Sequence, residues 1–104
     1  MLCLGLDLGT TTVSAVVMDT DTGSVLQSYT RKSHADILSP VPGEKCQDPG
    51  ILTDLAEEIL NDLLDCHPGI QAIGITGQMH GIVYLDEDGN CVSPLYTWQD
   101  QRSA

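Results

Sequence analysis

Asp7, Gly9 and the run Thr10-Thr11-Thr12 lie within one short stretch near the start of the chain. A carboxylate there closes an apolar segment, Leu2–Leu8, and a glycine turn carrying three hydroxyls follows it. This combination suits a metal-bound polyphosphate. Gly9 lets the backbone approach an anion closely and tolerates positive φ. Backbone N–H groups and threonine hydroxyls in such a turn donate to phosphate oxygens. The carboxylate of Asp7 can hold Mg²⁺, directly or through water.

Two other phosphate loops are excluded by the same residues. No Gly-Lys-Ser/Thr follows the turn, so it is not a Walker A loop. The turn leads into a second apolar segment, Val13–Met18, and not into the helix that a dinucleotide fingerprint requires. Strand, glycine turn and strand make a phosphate hairpin, although the spacing alone also fits an ordinary β-hairpin with a Gly-Thr turn. Gly5–Thr12 resembles the first phosphate loop of the actin-like ATPase superfamily, which embraces filament proteins, 70-kDa chaperones and sugar kinases. The loop does not choose among them.

Two later constellations carry polar chemistry. Gly77-Gln78-Met79-His80-Gly81 follows the apolar run Ile70–Thr76. Polar groups at the carboxyl end of a strand in an open α/β sheet sit where ligands bind. Gln78 and His80 offer donors and acceptors for hydroxyls, while a lone histidine also fits a plain surface position. Trp98-Gln99-Asp100-Gln101-Arg102 sets an indole among polar groups. A sugar stacks on such a ring while its hydroxyls meet the neighbours. The competing reading is a tryptophan that anchors a loop, with Asp100 and Arg102 as a surface ion pair of little energetic weight.

Positioning these groups requires a sheet. Leu2–Leu8, Val13–Met18 and Ser24–Arg31 read as successive strands, joined by short links that imply antiparallel pairing. The near-continuous apolar character of Leu2–Leu8 predicts burial on both faces. Pro40, Pro42 and Gly43 mark Ser33–Gly50 as a loop. Asp48-Pro49 then reads as an N-cap followed by proline at the first helical position. Ile51, Leu52, Leu55, Ala56, Ile59, Leu60, Leu63 and Leu64 recur at helical spacing up to His67-Pro68-Gly69. Ile70–Thr76, Gly81–Leu85 and Val92–Thr97 read as strands. The predicted order is β-β-β-α-β-β-β. This is an α/β class with a mixed sheet: the entry to a ribonuclease-H-like (actin-like ATPase) domain, incomplete at this length, with the helix as a right-handed crossover.

The chain has 104 residues, enough for one small domain, and 41% of them are hydrophobic. Four Lys and Arg against fifteen Asp and Glu give a formal charge of −11. That balance argues against nucleic acid and anionic membranes as partners. It does not forbid nucleotide binding, because Mg²⁺ and aimed N–H groups hold phosphate locally. Cys3, Cys46, Cys66 and Cys91 form no metal-type pair. No leader or membrane span is evident, so the expected setting is a reducing cytoplasm with free thiols.

Taken together, the motifs resemble the carbohydrate kinases named for their Phe-Gly-Gly-Tyr signature. Gly5–Thr12 is similar to their phosphate loop, and Gln47-Asp48-Pro49 to the Gln-Asp-Pro ahead of their first helix. Gly77–Gly81 resembles the sugar-contact turn of the xylulokinase and sedoheptulokinase branches, and Trp98–Arg102 their Trp-x-Asp-x-Arg. In glycerol kinases Arg and Glu stand where Met79 and His80 stand here. Gln99, where xylulokinases usually carry Asn, tilts the resemblance toward sedoheptulokinase.

The resemblance implies ATP-dependent phosphorylation of a ketose, sedoheptulose or D-xylulose, with Mg²⁺. Asp7 would coordinate Mg²⁺ or its water, while Gly9, Thr10, Thr11 and Thr12 would meet the phosphates. Gln78, Met79, His80 and Trp98 would line the sugar pocket, with Asp100 and Arg102 bracing it or touching the sugar. The catalytic base of such kinases, an aspartate, is expected beyond Ala104, so no catalytic residue is assigned within this chain. Residues 1–104 would thus be the first part of the sugar-binding N-terminal domain, inactive alone, and the resemblance leaves room for a homodimer of the full-length protein. A non-catalytic nucleotide- or sugar-binding module is the alternative.

Overall fold

A computed structural model describes residues 1–78 and 80–102. Ala104, the position beyond which the catalytic aspartate is expected, lies outside the described residues. The elements in chain order are β1 (Leu2–Leu8), β2 (Thr12–Asp19), β3 (Ser24–Lys32), β4 (Asp36–Ile37), β5 (Cys46–Gln47), α1 (Pro49–Cys66), β6 (Ile70–Gly77) and β7 (Leu95–Tyr96). Four of the strands form a mixed sheet in the order β3-β2-β1-β6, with β1–β2 and β2–β3 antiparallel and β6 parallel to β1. A small second sheet has the order β4-β5-β7.

The helix starts and stops where its sequence signals stand. Asp48 caps it, its carboxylate accepting from the Gly50 N–H at 2.9 Å, and Pro49 occupies the first turn, where no intrahelical donor is needed. The His67 N–H closes the other end on the Leu63 carbonyl at 2.9 Å. Leu52, Leu55, Ala56, Ile59 and Leu63 form the buried stripe. They pack against Leu4 and Leu6 of β1 and Val13, Ala15 and Val17 of β2 in a single aliphatic core. Ile51 falls outside that stripe and is exposed.

Three expectations need correction. β1 is covered on one face only among the described residues: Leu4 and Leu6 are buried, whereas Asp7 on the other face is exposed. Its apolar character reflects a central place between β2 and β6, with α1 on one side. The loop Ser33–Gly50 contains two short strands, because Asp36 and Ile37 pair with Gln47 and Cys46, and these pair with Leu95 and Tyr96. Gly81–Leu85 is not a regular strand and shows only the bridges Ile82–Tyr96 and Leu85–Cys91. There the Tyr84 N–H turns to the Ser93 hydroxyl at 2.9 Å, and Pro94 has no N–H to offer a ladder.

The register between β1 and β6 sets Ile73 beside Leu4 and Ile75 beside Leu6. Both isoleucines share the helix side of the sheet, yet α1 lies over β1 and β2 and leaves them exposed.

Candidate functional site

The parallel register brings the carboxyl ends of β1 and β6 together, and the two polar loops leave the sheet there side by side. Asp7 pairs with Thr76 across this register, and the Thr76 hydroxyl donates to Asp7 Oδ1 at 2.7 Å. The Gln78 N–H donates to the Leu8 carbonyl at 3.0 Å, which carries the pairing one step past the strand end.

The Gly9 turn is closed by its own N–H on the Thr12 carbonyl at 2.9 Å. A Cβ at Gly9 would stand 2.8 Å from that carbonyl oxygen and 3.7 Å from Asp7 Oδ2. Gly9 is not among the residues with positive φ, so close backbone approach, and not left-handed conformation, is what demands glycine. The space a side chain would fill lies beside the Asp7 carboxylate.

Trp98 arrives from β7. Its indole N–H donates to the Thr10 hydroxyl at 3.0 Å. Since the hydroxyl oxygen accepts this bond, its proton remains for another acceptor, such as a phosphate oxygen. Asp7, Gly9, Thr10, Gly77, Gln78, His80 and Trp98 line one cavity of about 320 Å³. His80 and Trp98 also line an adjoining cavity of about 530 Å³ with Ile82, Tyr84, Tyr96, Thr97, Asp100 and Arg102. His80 holds φ of 61°, the left-handed region that non-glycine residues rarely adopt. The two cavities therefore meet at His80 and the tryptophan ring.

Asp100 is committed to bracing. It accepts from the Arg102 Nε at 3.1 Å and Nη2 at 2.9 Å, and from the Lys45 backbone N–H at 3.1 Å. Those bonds, the guanidinium first, hold its carboxyl well below the usual carboxylate range. Arg102 in turn sits 5.4 Å over the Tyr96 ring and 3.6 Å from Glu44. Beside them burial pushes the Cys46 thiol up, and Glu44 adds to the effect. This suits an inert core thiol.

Not every expected residue joins the site. Thr11 and Thr12 line a separate cleft with Lys32, Ser33, His34 and Asp36. Gln99 lines another, with Asp36, Glu44 and Lys45 among its walls, and not the cavity of Trp98 and Tyr96. Met79 lies outside the described residues. No cluster of three His, Cys, Asp or Glu side chains that could hold a metal occurs among the described residues. A divalent ion would rest on Asp7 and on ligands from water and phosphate.

Residues 2–104 match the model of the FGGY family of carbohydrate kinases, N-terminal domain. The chain belongs to this family. Relatives include a xylulose kinase of Staphylococcus xylosus, 31% identical over 97% of this chain and 21% of its own length. A sedoheptulokinase of Mus musculus is 32% identical over 95% of this chain and 26% of its own. The ligand-bound xylulose kinase from Lactobacillus acidophilus superposes with a TM-score of 0.83 at 29% identity, covering 95% of this chain and 20% of that one. The chain thus spans about a fifth of the length of the first of these relatives. Structural likeness to FGGY sugar kinases confirms the mixed actin-like fold in partial form.

Within this FGGY domain several residues in or beside the site escaped sequence reasoning. Thr76 could have been found from the parallel register with Asp7, once β1 and β6 were paired. Tyr84 and Tyr96 stand 6.4 Å apart edge to face and wall the larger cavity, with no motif to mark them. Gln47, flagged only as part of a motif before the helix, is 1% exposed and touches both polar loops.

Proposed function

We propose that this chain is the amino-terminal part of a two-lobed kinase that transfers the γ-phosphoryl group of ATP to a hydroxyl of a ketose, sedoheptulose or D-xylulose. The observation that carries the proposal is the hydrogen bond from the Trp98 indole to the Thr10 hydroxyl, which ties a sugar platform to the phosphate loop at the junction of two cavities. Donor and acceptor substrates must meet at such a junction for in-line transfer.

Thr10 and the backbone of the Gly9 turn would donate to phosphate oxygens. Gln78 and His80 would orient the ketose hydroxyls, and the Trp98 face would stack on its carbon chain. Asp7 fits Mg²⁺: Oδ1 is oriented by Thr76, and the missing Gly9 side chain leaves room beside Oδ2. When bound, Mg²⁺ would neutralise charge on the phosphates. Asp100 does not serve as the general base, because Arg102 and the Lys45 N–H already occupy its carboxylate. No residue described in this chain is assigned as the base.

Selectivity between ketoses falls to the walls of the larger cavity. Gln99 lies outside that cavity, so its identity gives no physical ground for preferring sedoheptulose. A cytoplasmic setting belongs to the same proposal and draws support from four free thiols. The test is ATP-dependent phosphorylation of sedoheptulose, D-xylulose, D-ribulose and glycerol by the full-length kinase, with His80→Ala alongside. The expected result is strong preference for one ketose, with kcat/KM for it reduced at least about 100-fold in the variant. Full activity without His80 would remove the sugar-pocket assignment. Absence of turnover with every substrate would favour a binding module.

A further inference from the structure

Gln47 is buried at 1% exposure, yet it belongs to neither substrate cavity. Its side-chain nitrogen donates to the Thr10 carbonyl and, at 2.8 Å, to Asp36 Oδ1. A carbonyl and a carboxylate are acceptors only, so the amide has one orientation. Gln47 Oε1 must then face a donor, and Gln78 Nε2 supplies it at 3.0 Å. The direction of every bond in this relay follows from its Asp36 and Thr10 end. The Gln78 Oε1 that remains is buried and has no partner among the described residues.

The relay spans the two polar loops. In a trans peptide the C=O and the following N–H point in opposite directions. With the Thr10 carbonyl drawn onto Gln47, the Thr11 N–H must point away from it. One side chain therefore sets the attitude of a phosphate-loop peptide and the polarity of the Gln78 amide. The Gln47 backbone is itself pinned in β5, between Asp36 of β4 and Leu95 of β7, and β7 leads directly to Trp98. The Trp98–Thr10 bond closes the loop from the other side.

We infer that Gln47 is a positioning residue that couples the nucleotide and ketose subsites, so that occupation of one strengthens binding at the other. The inference rests on the kinase reading and gives that site an internal linkage. Phosphate drawing on the Gly9–Thr12 turn stiffens the Thr10 peptide, and the relay passes that constraint to Gln78. Coupling of this kind is reciprocal: nucleotide tightens ketose binding by the factor by which ketose tightens nucleotide binding.

The experiment uses the full-length kinase and its preferred ketose, with the ketose Kd measured by calorimetry with and without a non-hydrolysable ATP analogue. Wild type should bind ketose at least about fivefold more tightly with the analogue present, the lower end of ordinary coupling. Gln47→Glu sets a carboxylate against Asp36 and the Thr10 carbonyl, and Gln47→Met removes the relay at similar volume. Both should bring the ratio to about 1 and lower kcat about tenfold or more, the scale of a buried hydrogen bond left unmade, while each ligand still binds alone. Asp36→Asn paired with Gln47→Glu restores one donor and should recover part of the ratio. Should the Gln47 variants not fold, Asp36→Ala removes only the exposed anchor of the relay, and it should lower the ratio at least twofold. A wild type that turns over ketose with no coupling, or folded variants that keep it, overturns the inference. A wild type that phosphorylates no ketose overturns the kinase reading instead.

Discussion

Gly9→Ala is the sharpest perturbation of the phosphate loop. The added Cβ would lie 2.8 Å from the Thr12 carbonyl oxygen, whereas real Cβ atoms essentially never come within 3.0 Å of such a neighbour. The obstacle is backbone, so no side-chain rotation relieves it. The turn must open by a few tenths of an ångström at least, and the same oxygen accepts the Gly9 N–H at 2.9 Å. Weakening that bond costs about 1 kcal/mol of folding stability. On the proposed reading the functional cost is larger, because the turn would aim the donors that meet phosphate, and a misplacement approaching 1 Å costs on the order of 10²-fold in rate. Gly9→Ala should therefore lower Tm by only a few degrees while raising the nucleotide KM or lowering kcat about 100-fold. Circular dichroism melts and steady-state kinetics of the full-length kinase read the two effects separately. A variant with wild-type nucleotide kinetics would refute the claim that this turn meets phosphate. A variant that melts far below wild type would show that the glycine serves folding instead.

Two further outcomes follow from the fold. Ile59 is fully buried at the centre of the helix–sheet core, so Ile59→Ala should cost about 2–5 kcal/mol in urea denaturation, and a loss under 1 kcal/mol would show that α1 does not pack as described. Asp100 has a folded pKa well below the ordinary carboxylate value, through Arg102 first and the Lys45 N–H next. Its contribution to stability is thus complete above the unfolded carboxylate pKa of about 4 and fades as pH falls from there toward the folded value. Asp100→Asn should flatten the acid limb of a Tm–pH profile below about pH 4, and an unchanged limb would show that the Arg102 clamp is not retained in solution.

The parts of the fold legible in the sequence are those written locally. β1, β2, β3, α1 and β6 each carry their own period, and α1 carries both of its end signals in Asp48-Pro49 and His67-Pro68-Gly69. The hairpin turn and the Trp98 motif were legible for the same reason, since the polar residues of each are neighbours in the chain. What escaped is held together across distance. β4 and β5 are two residues each, too short for any period, and exist because Asp36 meets Gln47 and Cys46 meets Tyr96. Gly81–Leu85 has the composition of a strand, but its partner segment carries Pro94 and a serine hydroxyl that captures the Tyr84 N–H.

Gln47 makes the limit sharper. A glutamine just before a helix cap reads as surface, and nothing within ten residues of it but Asp48-Pro49 suggests a role. Its burial is determined by Thr10, 37 positions earlier, and by Gln78, 31 positions later, which meet only once β6 has joined β1. A buried amide is tolerated where its donors and acceptor are all matched, and here each match comes from a different segment. The local code thus builds the two walls of the site, and the parallel pairing of β1 with β6 brings them into register. The amide that spans them is the one group whose identity neither wall could reveal.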